Sequence, residues 1–530
     1  MTTYNVALHE GVDYDAFWHE MESRRPPRLK DEFVPTRIVE IVNERPTSLR
    51  QCWYDLTEEE ANRLQGDPRV YCVEIPPEHR DDIKTYSMAS QSISYKQASP
   101  DSNNLGNLQL LRLTSKQNNL NTSASPYSGT GTYNYSLDGS GVDVVIMDSG
   151  CQVNHPEFTD ANGVSRVQQI DWYAASGVPG TMPANFYTDA TGHGTACASA
   201  SAGKLYGFAK NAQIYVLTMY DFNPNGIDTT TLFDVLLGWH NNKPINPVTG
   251  YKRPTVLNMS FISSQNFYGV SAALPTAGNY RGTPWTTFTL NYAAGNYAFS
   301  RASSLFPVLV NSRKIDVEEC ISAGICCVSA AGNWGAIMDR IGGPDYNNYL
   351  VHSNGSTYYY NRGSGNQAAN GVICVGNSKS YPFASITSPT DQIYYNSHCG
   401  PLVDIFANGV DIAMATSNTG TYADTSPYTY PNSGFKMIFM TGTSFSSPAV
   451  AGIAAQFLQV YPTATPSQIK QKIIESSTPD ILFDNPGSLS YGNTNYLFGA
   501  SNRIAYQPYN TAENFTTLGS PSISNATINL

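Results

Sequence analysis

Residues 141–150 constrain the fold of this chain more than any other segment. They form a short, apolar, β-branched stretch that ends in Asp148, a serine and a glycine. Such a run predicts a strand buried on both faces, as in a parallel sheet covered by helices. Beyond residue 105, strand and helix patterns alternate along the chain. The sequence therefore predicts an α/β fold with a doubly wound, mostly parallel sheet, and it places Asp148 at the carboxyl edge of that sheet.

Two later motifs place a histidine and a serine in comparable settings. His193 lies between two glycines at the head of a helix of small residues, and Ser444 lies where a glycine-flanked loop turns into a helix. A serine hydroxyl is a poor nucleophile unless a base takes its proton and a carboxylate holds that base. Asp148, His193 and Ser444 are therefore the candidate acid, base and nucleophile of a hydrolase. Each has a plainer alternative: a turn cap, a hydrogen-bonded loop histidine and a helix cap, respectively.

The order acid, histidine, serine, with the residues around each of them, resembles the subtilisin-like serine peptidases, the subtilase or S8 family. Residues 328–333 are similar to the family segment whose asparagine amide donates to the oxyanion, so the resemblance makes Asn333 the oxyanion residue. The likeness covers roughly residues 105–480. It implies a serine endopeptidase that hydrolyses a polypeptide substrate through an acyl-enzyme.

The same resemblance implies which residues line the substrate cleft. They are Ser260, Phe261, Ile262, Ala330 and Gly332. The chain departs from the family at Ile262, which replaces a glycine. Its bulk could narrow the pocket for the substrate side chain, or block an extended peptide from pairing with that edge. Phe445 replaces the usual methionine after the nucleophile, which is a milder change of volume.

The first 80 residues carry a separate pattern. Strand signals over residues 4–9, 36–42, 49–56 and 69–75 alternate with helix signals over residues 13–23 and 57–66, in the order βαββαβ. This ferredoxin-like order is how the inhibitory (I9-like) propeptides of subtilases are built. Residues 1–80 are thus predicted to be a prodomain that acts as an intramolecular inhibitor, which makes the protein a zymogen. The alternative is a small domain that stays attached and inhibits nothing.

Composition predicts the rest of the domain organisation. Polar residues 81–104 form a predicted linker in which a maturation cut would fall. Residues 105–500 form the predicted catalytic domain, with irregular Tyr- and Asn-rich insertions near 263–315 and 334–367, and residues 501–530 form a C-terminal tail. The insertions flank the predicted cleft and could be substrate-reading loops, a lid or a docking surface for a larger assembly.

Charge and residue spacing narrow the partners and cofactors. The formal net charge of −11 argues against nucleic acid, and the longest nearly apolar run is too short to span a membrane. No zinc-binding spacing or calcium loop stands out, so no metal or cofactor is predicted, and structural Ca²⁺ rests on family analogy alone. The nine cysteines form no disulfide framework, and Cys197 is expected to be a small buried side chain.

The amino end of the sequence has neither the basic region nor the apolar run of a secretory signal. We therefore expect that the protein is synthesised in the cytoplasm. Its site of action is left open and could be in a virion or outside the cell. A second hypothesis is a virion-associated structural or adhesion protein on a subtilase scaffold, which the insertions and Ile262 also favour. The two hypotheses are compatible, because all four catalytic positions are filled.

Overall fold

The computed structural model of the chain covers both predicted folding units. It describes residues 1–22, 32–45, 47–76, 79, 84–87, 106–118, 133–247, 250–267, 275–286, 297–300, 303–380, 391–425, 428–484 and 497–508. Most of the predicted linker and of the predicted C-terminal tail lies outside these residues.

The N-terminal unit is a four-stranded antiparallel sheet with two helices. Its elements are β1 (Thr2–Leu8), α1 (Tyr14–Glu22), β2 (Glu40–Asn43), β3 (Gln51–Leu56), α2 (Glu58–Gln65) and β4 (Val70–Glu74). The strands lie in the order β2-β3-β1-β4. Thr57 and Glu60 form a capping box that starts α2, and the apolar faces of the helices and sheet enclose Phe17, Tyr54 and Leu64. This is the βαββαβ order that the sequence predicts.

The rest of the described chain folds around one large sheet. Its first half contains β5 (Lys84–Ser87), α3 (Leu108–Arg112), β6 (Asp143–Asp148), β7 (Val167–Gln168), α4 (Trp172–Ser176), α5 (His193–Ala202), β8 (Gln213–Thr218), α6 (Thr229–Asn242), β9 (Thr255–Met259), β10 (Phe261–Asn266), β11 (Ala277–Tyr280), β12 (Thr283–Trp285) and β13 (Leu305–Pro307). Its second half contains α7 (Asn311–Ser322), β14 (Cys326–Ala330), β15 (Tyr349–Val351), β16 (Thr357–Tyr359), α8 (Gly365–Ala368), β17 (Ile373–Lys379), β18 (Asp391–Ile393), β19 (Ile405–Asn408), β20 (Ile412–Ala415), α9 (Thr421–Thr425), β21 (Tyr428–Thr429), β22 (Lys436–Met440), α10 (Thr443–Val460), α11 (Pro466–Ser476), β23 (Thr478–Pro479), β24 (Leu482–Phe483) and β25 (Arg503–Ile504).

The large sheet is mostly parallel and is covered on both faces. Its strands lie in the order β23-β25-β19-β17-β14-β9-β6-β8-β7, and every pair from β19 to β7 is parallel. Alternate residues of β6 enter two different cores: Val144 and Ile146 pack with α5 and α10, whereas Val145 and Met147 pack with α6 and α7. The predicted doubly wound, mostly parallel sheet is therefore confirmed.

The two predicted insertions pair with each other. Strands β11 and β12 of the first insertion join β15 and β16 of the second in an antiparallel sheet ordered β12-β11-β15-β16. Phe267, Trp285, Phe299, Leu350 and Tyr360 belong to a separate apolar core beside it. The sequence predicts irregular loops here, and the structure differs because pairing between distant segments satisfies backbone groups that neither segment could satisfy alone.

The chain beyond residue 500 continues the core. β25 lies beside β19 and β23 in the large sheet, and Ile504 and Gln507 are buried. The predicted tail boundary at residue 501 is therefore too early, because Ile504 fills the apolar core and the N–H of Gln507 donates to the carbonyl oxygen of Leu113 at 2.7 Å.

Candidate active site

The predicted acid and base meet at the carboxyl end of β6. Asp148 ends this buried strand, which parallel pairing with β8 and β9 holds on both sides. Its two carboxylate oxygens lie 2.8 and 3.0 Å from Nδ1 of His193, and both side chains are fully buried. The N–H of Ser149 also donates to Asp148 Oδ1 at 2.7 Å. A carboxylate in this position holds the proton on Nδ1 and leaves Nε2 as the basic nitrogen.

Close packing explains the two glycines around His193. Gly192 has a φ of 92°, and a Cβ at this position would collide with Thr416 Oγ1. A Cβ on Gly194 would collide with the carbonyl oxygen of Gly150. The Gly-His-Gly motif therefore lets α5 start directly against the end of β6, which brings the imidazole onto Asp148.

Asp189 is a site residue that the sequence reasoning missed. Its carboxylate accepts hydrogen bonds from the N–H groups of Gly192 and Thr195 at 2.8 and 2.9 Å, and from Ser149 Oγ at 2.8 Å. Gly192 is the N-cap of α5 and has no side chain to cap it. Asp189 therefore caps this helix from the preceding loop, and its only sequence signal is an acid three residues before a glycine.

Ser444 is the second residue of α10, and Cys197 links it to His193. The Cys197 Sγ lies 3.7 Å from His193 Nδ1 and donates to the carbonyl oxygen of Ser444 at 3.4 Å. The Ser444 Oγ lies 3.5 Å from the carbonyl oxygen of Ser260, and His193 Nε2 has no hydrogen-bond partner among the described residues. Catalytic hydrogen bonds are often long before substrate binds. A hydrogen bond between the Ser444 hydroxyl and Nε2, which the predicted triad requires, stays a prediction.

Cys197 itself is buried, as the sequence predicts. Burial raises the pKa of its thiol to about 11, so the sulfur stays protonated near neutral pH and is a poor nucleophile. Among the described residues, one group of three or more His, Cys, Asp or Glu side chains has all its ligand atoms within 4.8 Å of one another, and it consists of Asp148, His193 and Cys197. A thiol and an imidazole do not suit Ca²⁺. The absence of a metal stays a prediction.

Asn333 presents a hydrogen-bond donor beside the nucleophile. Its Oδ1 accepts from the N–H and the Oγ1 of Thr443 at 2.9 and 3.1 Å, which fixes the orientation of the amide. Its Nδ2 is buried and has no partner among the described residues. A Cβ on Gly442 would lie only 3.0 Å from that nitrogen, so this glycine leaves room for the amide. A fixed, unused N–H donor next to Ser444 is what a developing oxyanion requires.

The predicted cleft residues play different structural parts. Ser260 Oγ donates to the carbonyl oxygen of Ser444 at 2.9 Å and lies 3.1 Å from Ser447 Oγ, so this side chain anchors α10. Phe261 is buried against Phe222, with ring centroids 6.5 Å apart. Substrate contact by either side chain stays a prediction.

The other two predicted cleft residues, Ala330 and Gly332, lie at the carboxyl end of β14 and just beyond it. Ala330 ends β14, and Gly332 follows with a φ of 124° and no room for a Cβ beside the His398 ring. Two amides on α8, which the sequence reasoning missed, join β14 to β10. Asn366 Nδ2 donates to the carbonyl oxygen of Phe261 at 2.6 Å, and Gln367 Nε2 donates to that of Ala330 at 3.0 Å. Side chains of α8 therefore tie β10 to the end of β14.

β10 pairs with β13 on one edge and, on its other edge, with a segment from earlier in the same chain. β5 lies antiparallel to it, with Phe261 opposite Ser87, Ile262 opposite Tyr86 and Ser264 opposite Lys84. The bulk of Ile262 therefore does not prevent an extended backbone from pairing with this edge. This corrects one of the two predicted effects, namely that Ile262 blocks an extended peptide. Narrowing of the side-chain pocket stays a prediction.

Comparison with known proteins identifies the class. The Subtilase family model matches residues 139–501 of this chain. The chain therefore belongs to the subtilase family, and it is a subtilisin-like serine endopeptidase, a hydrolase. Within the described residues, no helix combines the length and apolar character needed to cross a bilayer.

Individual relatives are similar at low identity. The chain is 25% identical to the extracellular serine proteinase of Thermus sp. (strain Rt41A), over 82% of this chain and 72% of that protein. It is 26% identical to the subtilisin-like proteinase Spm1 of Pyricularia oryzae and to cerevisin of Saccharomyces cerevisiae, but spans only 61% and 41% of their lengths. Fervidolysin from Fervidobacterium pennivorans, a keratinolytic enzyme related to subtilisin, matches with a TM-score of 0.50 at 15% identity, over 94% of this chain and 60% of that chain. That likeness shows the fold.

Proposed function

We propose that this protein cleaves peptide bonds with Ser444 as nucleophile, His193 as general base and Asp148 as the group that orients the base. The observation that carries the proposal is the buried contact between Asp148 and His193 Nδ1, which leaves Nε2 without a partner among the described residues, beside the start of α10. The unused Nδ2 of Asn333 supports it from the other side of the nucleophile.

The geometry supports a two-step acyl transfer. Ser444 Oγ attacks the scissile carbonyl carbon while its proton moves to His193 Nε2, and Asp148 stabilises the imidazolium that forms. Asn333 Nδ2 and the positive end of α10 stabilise the oxyanion. His193 then gives its proton to the leaving amine, which leaves an acyl group on Ser444. Water attacks this ester with His193 again as base, which releases the acid and restores the serine.

A fluorophosphonate probe tests the nucleophile directly. We expect the probe to label the wild-type protein and the Ser446→Ala variant but not the Ser444→Ala variant. Ser446 is a matched control because it lies in the same helix and its Oγ donates to the carbonyl oxygen of Ala407 at 3.0 Å. An unlabelled wild-type protein that stays full length and binds an assembly partner would instead favour the virion scaffold, which stays a hypothesis, as does the site of action.

We further propose that the N-terminal unit is an inhibitory propeptide and that the protein is a zymogen. The pairing of β5 with β10 supports this, because it lays the chain that follows the N-terminal unit along the cleft edge. Glu74 at the end of β4 also accepts a hydrogen bond from the N–H of Ser312 in the first turn of α7. The boundaries at residues 80 and 104 belong to this proposal.

The register of β5 predicts where the chain is cut. Ser87 pairs with Phe261, and Ser260, the residue before Phe261, contacts Ser444. Met88, the residue that follows β5 in the sequence, lies outside the described residues. We therefore expect cleavage between Met88 and Ala89, and intact-mass and N-terminal sequencing of the matured protein check this. Met88→Asp should slow the cut, whereas Ser94→Asp should not; a mature chain that starts elsewhere contradicts the register.

Asn333→Asp tests the oxyanion donor. The carboxylate keeps the acceptor for Thr443 but has no N–H, so we expect kcat to fall by about 10²- to 10³-fold with little change in KM. Steady-state kinetics on a short peptide substrate measure both constants, and the melting temperature controls for damage to the fold. A rise in KM at unchanged kcat would mean that Asn333 binds substrate without stabilising the transition state.

The state of His193 predicts the pH dependence of cleavage. Burial lowers the pKa of this imidazole, but the electrostatic effects of Asp148, Cys197 and Tyr422 and the hydrogen bond to Asp148 together raise it more, so the net pKa lies well above 6.5. Because the base must be neutral, kcat/KM should rise with pH through this pKa and be lost at acid pH. A profile from pH 5 to 10 with an uncharged peptide measures the midpoint. A midpoint below 6.5 would contradict the assignment of His193 as the base.

A further inference from the structure

The N-terminal unit meets the catalytic domain at a buried acidic cluster. Asp234 on α6 and Asp316 and Glu319 on α7 face the turn between β2 and β3, which presents Arg45. The side chain of Arg45 is only 1% exposed, and those of Asp234 and Asp316 are 2% and 4% exposed. One guanidinium therefore enters a site that holds two buried carboxylates and the carboxyl group of the half-buried Glu319.

Directed hydrogen bonds make this cluster specific. Arg45 Nη2 donates to Asp316 Oδ1 at 2.5 Å and to Asp234 Oδ1 at 3.1 Å, and Nε donates to Asp234 at 3.2 Å. Gln51 Nε2 donates to Asp316 Oδ1 at 2.9 Å, and Ser48 Oγ donates to Glu319 Oε2 at 2.5 Å. Every one of these donors belongs to the N-terminal unit, and every acceptor belongs to α6 or α7.

The position of Arg45 is itself built by the turn. Arg45 has a φ of 47°, a conformation that is uncommon outside glycine. The backbone around it is held because its N–H donates to Asn43 Oδ1 at 3.0 Å and its carbonyl oxygen accepts from the N–H of Ser48 at 2.8 Å. A strained residue that persists because its surroundings hold it is typical of a functional contact.

We propose that this cluster is a proton-linked docking site, at which Arg45 anchors the N-terminal unit while at least one of the three carboxyl groups is protonated, so that rising pH loosens the unit. The inference rests on the proposed role of this unit as a propeptide, which must leave after the chain is cut. In this site Arg45 is the recognised group, and α6 and α7 supply the carboxyl groups that bind it.

The charge balance gives the sign of the pH dependence. Burial raises the pKa of Asp316 to about 7, and Glu319 and Asp234 add to the shift while Arg45 opposes it. Burial also raises the pKa values of Asp234 and Glu319. The other titratable or charged groups that act on this cluster are Arg50, Asp228, Cys72 and Cys320.

Docking therefore takes up protons, because an exposed Asp or Glu titrates near pH 4. The docked state is favoured fully below about pH 4, and this stabilisation is lost as the pH rises through about 7 for Asp316. Between these two pH values, the equilibrium constant for docking falls about tenfold for each unit of rise in pH, for every proton that docking takes up.

The test uses the full-length Ser444→Ala protein, in which no self-cleavage occurs and no catalytic activity is needed. Hydrogen exchange, corrected for the intrinsic pH dependence of the rate, is measured from pH 5 to 7.5 for peptides of β1 and β3 and for peptides of β6. We expect protection of the N-terminal strands to fall by about tenfold per pH unit for one proton, while β6 stays constant. Loss of protease activity in the wild type would refute the proposed function without changing this result.

Two variants and a matched control decide the cause. Asp316→Asn should remove most of the pH dependence, because the amide keeps its hydrogen bonds and cannot ionise. Arg45→Met should leave the unit loosened at every pH. Arg37→Met should match the parent, since Arg37 pairs with Glu60 at 2.8 Å inside the N-terminal unit. The proposal is overturned if protection of the N-terminal strands in the parent stays flat or increases as the pH rises. It is also overturned if Asp316→Asn shows the same slope of protection against pH as the parent. If Arg45→Met does not fold, the slope of Asp316→Asn decides alone.

Discussion

Ser444→Ala is expected to lower kcat by about 10⁶-fold, the loss known when the nucleophile of such a triad is removed. The variant should also remain uncut, with the N-terminal unit still attached, if maturation is intramolecular. Activity is measured on a peptide substrate after the linker has been cut with an added protease, so that the attached unit does not mask the site. Gel analysis and intact mass follow the cut itself.

Ser446→Ala controls for the removal of a hydroxyl from the same turn of α10 and should mature and turn over normally. A Ser444→Ala protein that retains activity within tenfold of the wild type excludes this serine as the nucleophile. Normal trimming of an inactive Ser444→Ala protein would show instead that another protease makes the cut, while leaving the catalytic assignment intact.

Asp148→Asn is expected to lower kcat by about 10⁴-fold. The amide can donate a hydrogen bond to Nδ1 of His193, which moves the ring proton to Nε2 and leaves no basic nitrogen for the serine. The fold should persist, because the amide fills the same volume at the end of β6. Steady-state kinetics and the melting temperature together separate the loss of the base from a loss of structure.

Asp143 supplies a matched control at the other end of β6. Its carboxylate pairs with Lys243 at 2.6 Å and with Arg253 at 2.7 Å, far along the strand from the imidazole. Asp143→Asn should therefore lower the melting temperature and leave kcat close to that of the wild type. If Asp148→Asn keeps kcat within tenfold of the wild type, the carboxylate does not hold the imidazole in the tautomer that the proposal needs.

Local signals made the central features predictable from sequence. The β-branched run before Asp148 is a strand because it is apolar on both faces, and the large sheet buries both. Thr57 and Glu60 form the capping box that starts α2, and their separation by three positions is visible in the sequence. The four residues proposed for catalysis were recognisable for the same reason, because each sits in a short motif whose glycines or small residues serve close packing.

The features that sequence reasoning missed depend on contacts between distant segments. The pairing of β11 with β15 joins two insertions that have no strong strand pattern of their own. Asn366 and Asp189 are ordinary polar residues until folding places them against Phe261 and the start of α5. Arg45 likewise cannot be recognised as a docking residue from sequence, because the carboxyl groups that it pairs with lie far along the chain. No local periodicity encodes such partners.

The nine cysteines have a practical consequence for following how this molecule opens. All nine lie in the described residues, all are buried, and none forms a disulfide. Cys52 and Cys72 belong to the N-terminal sheet, whereas the other seven lie in the large domain. Because a shielded thiol reacts only after local or global exposure, pulsed alkylation read by mass spectrometry would time the opening of each part separately, with no engineered label.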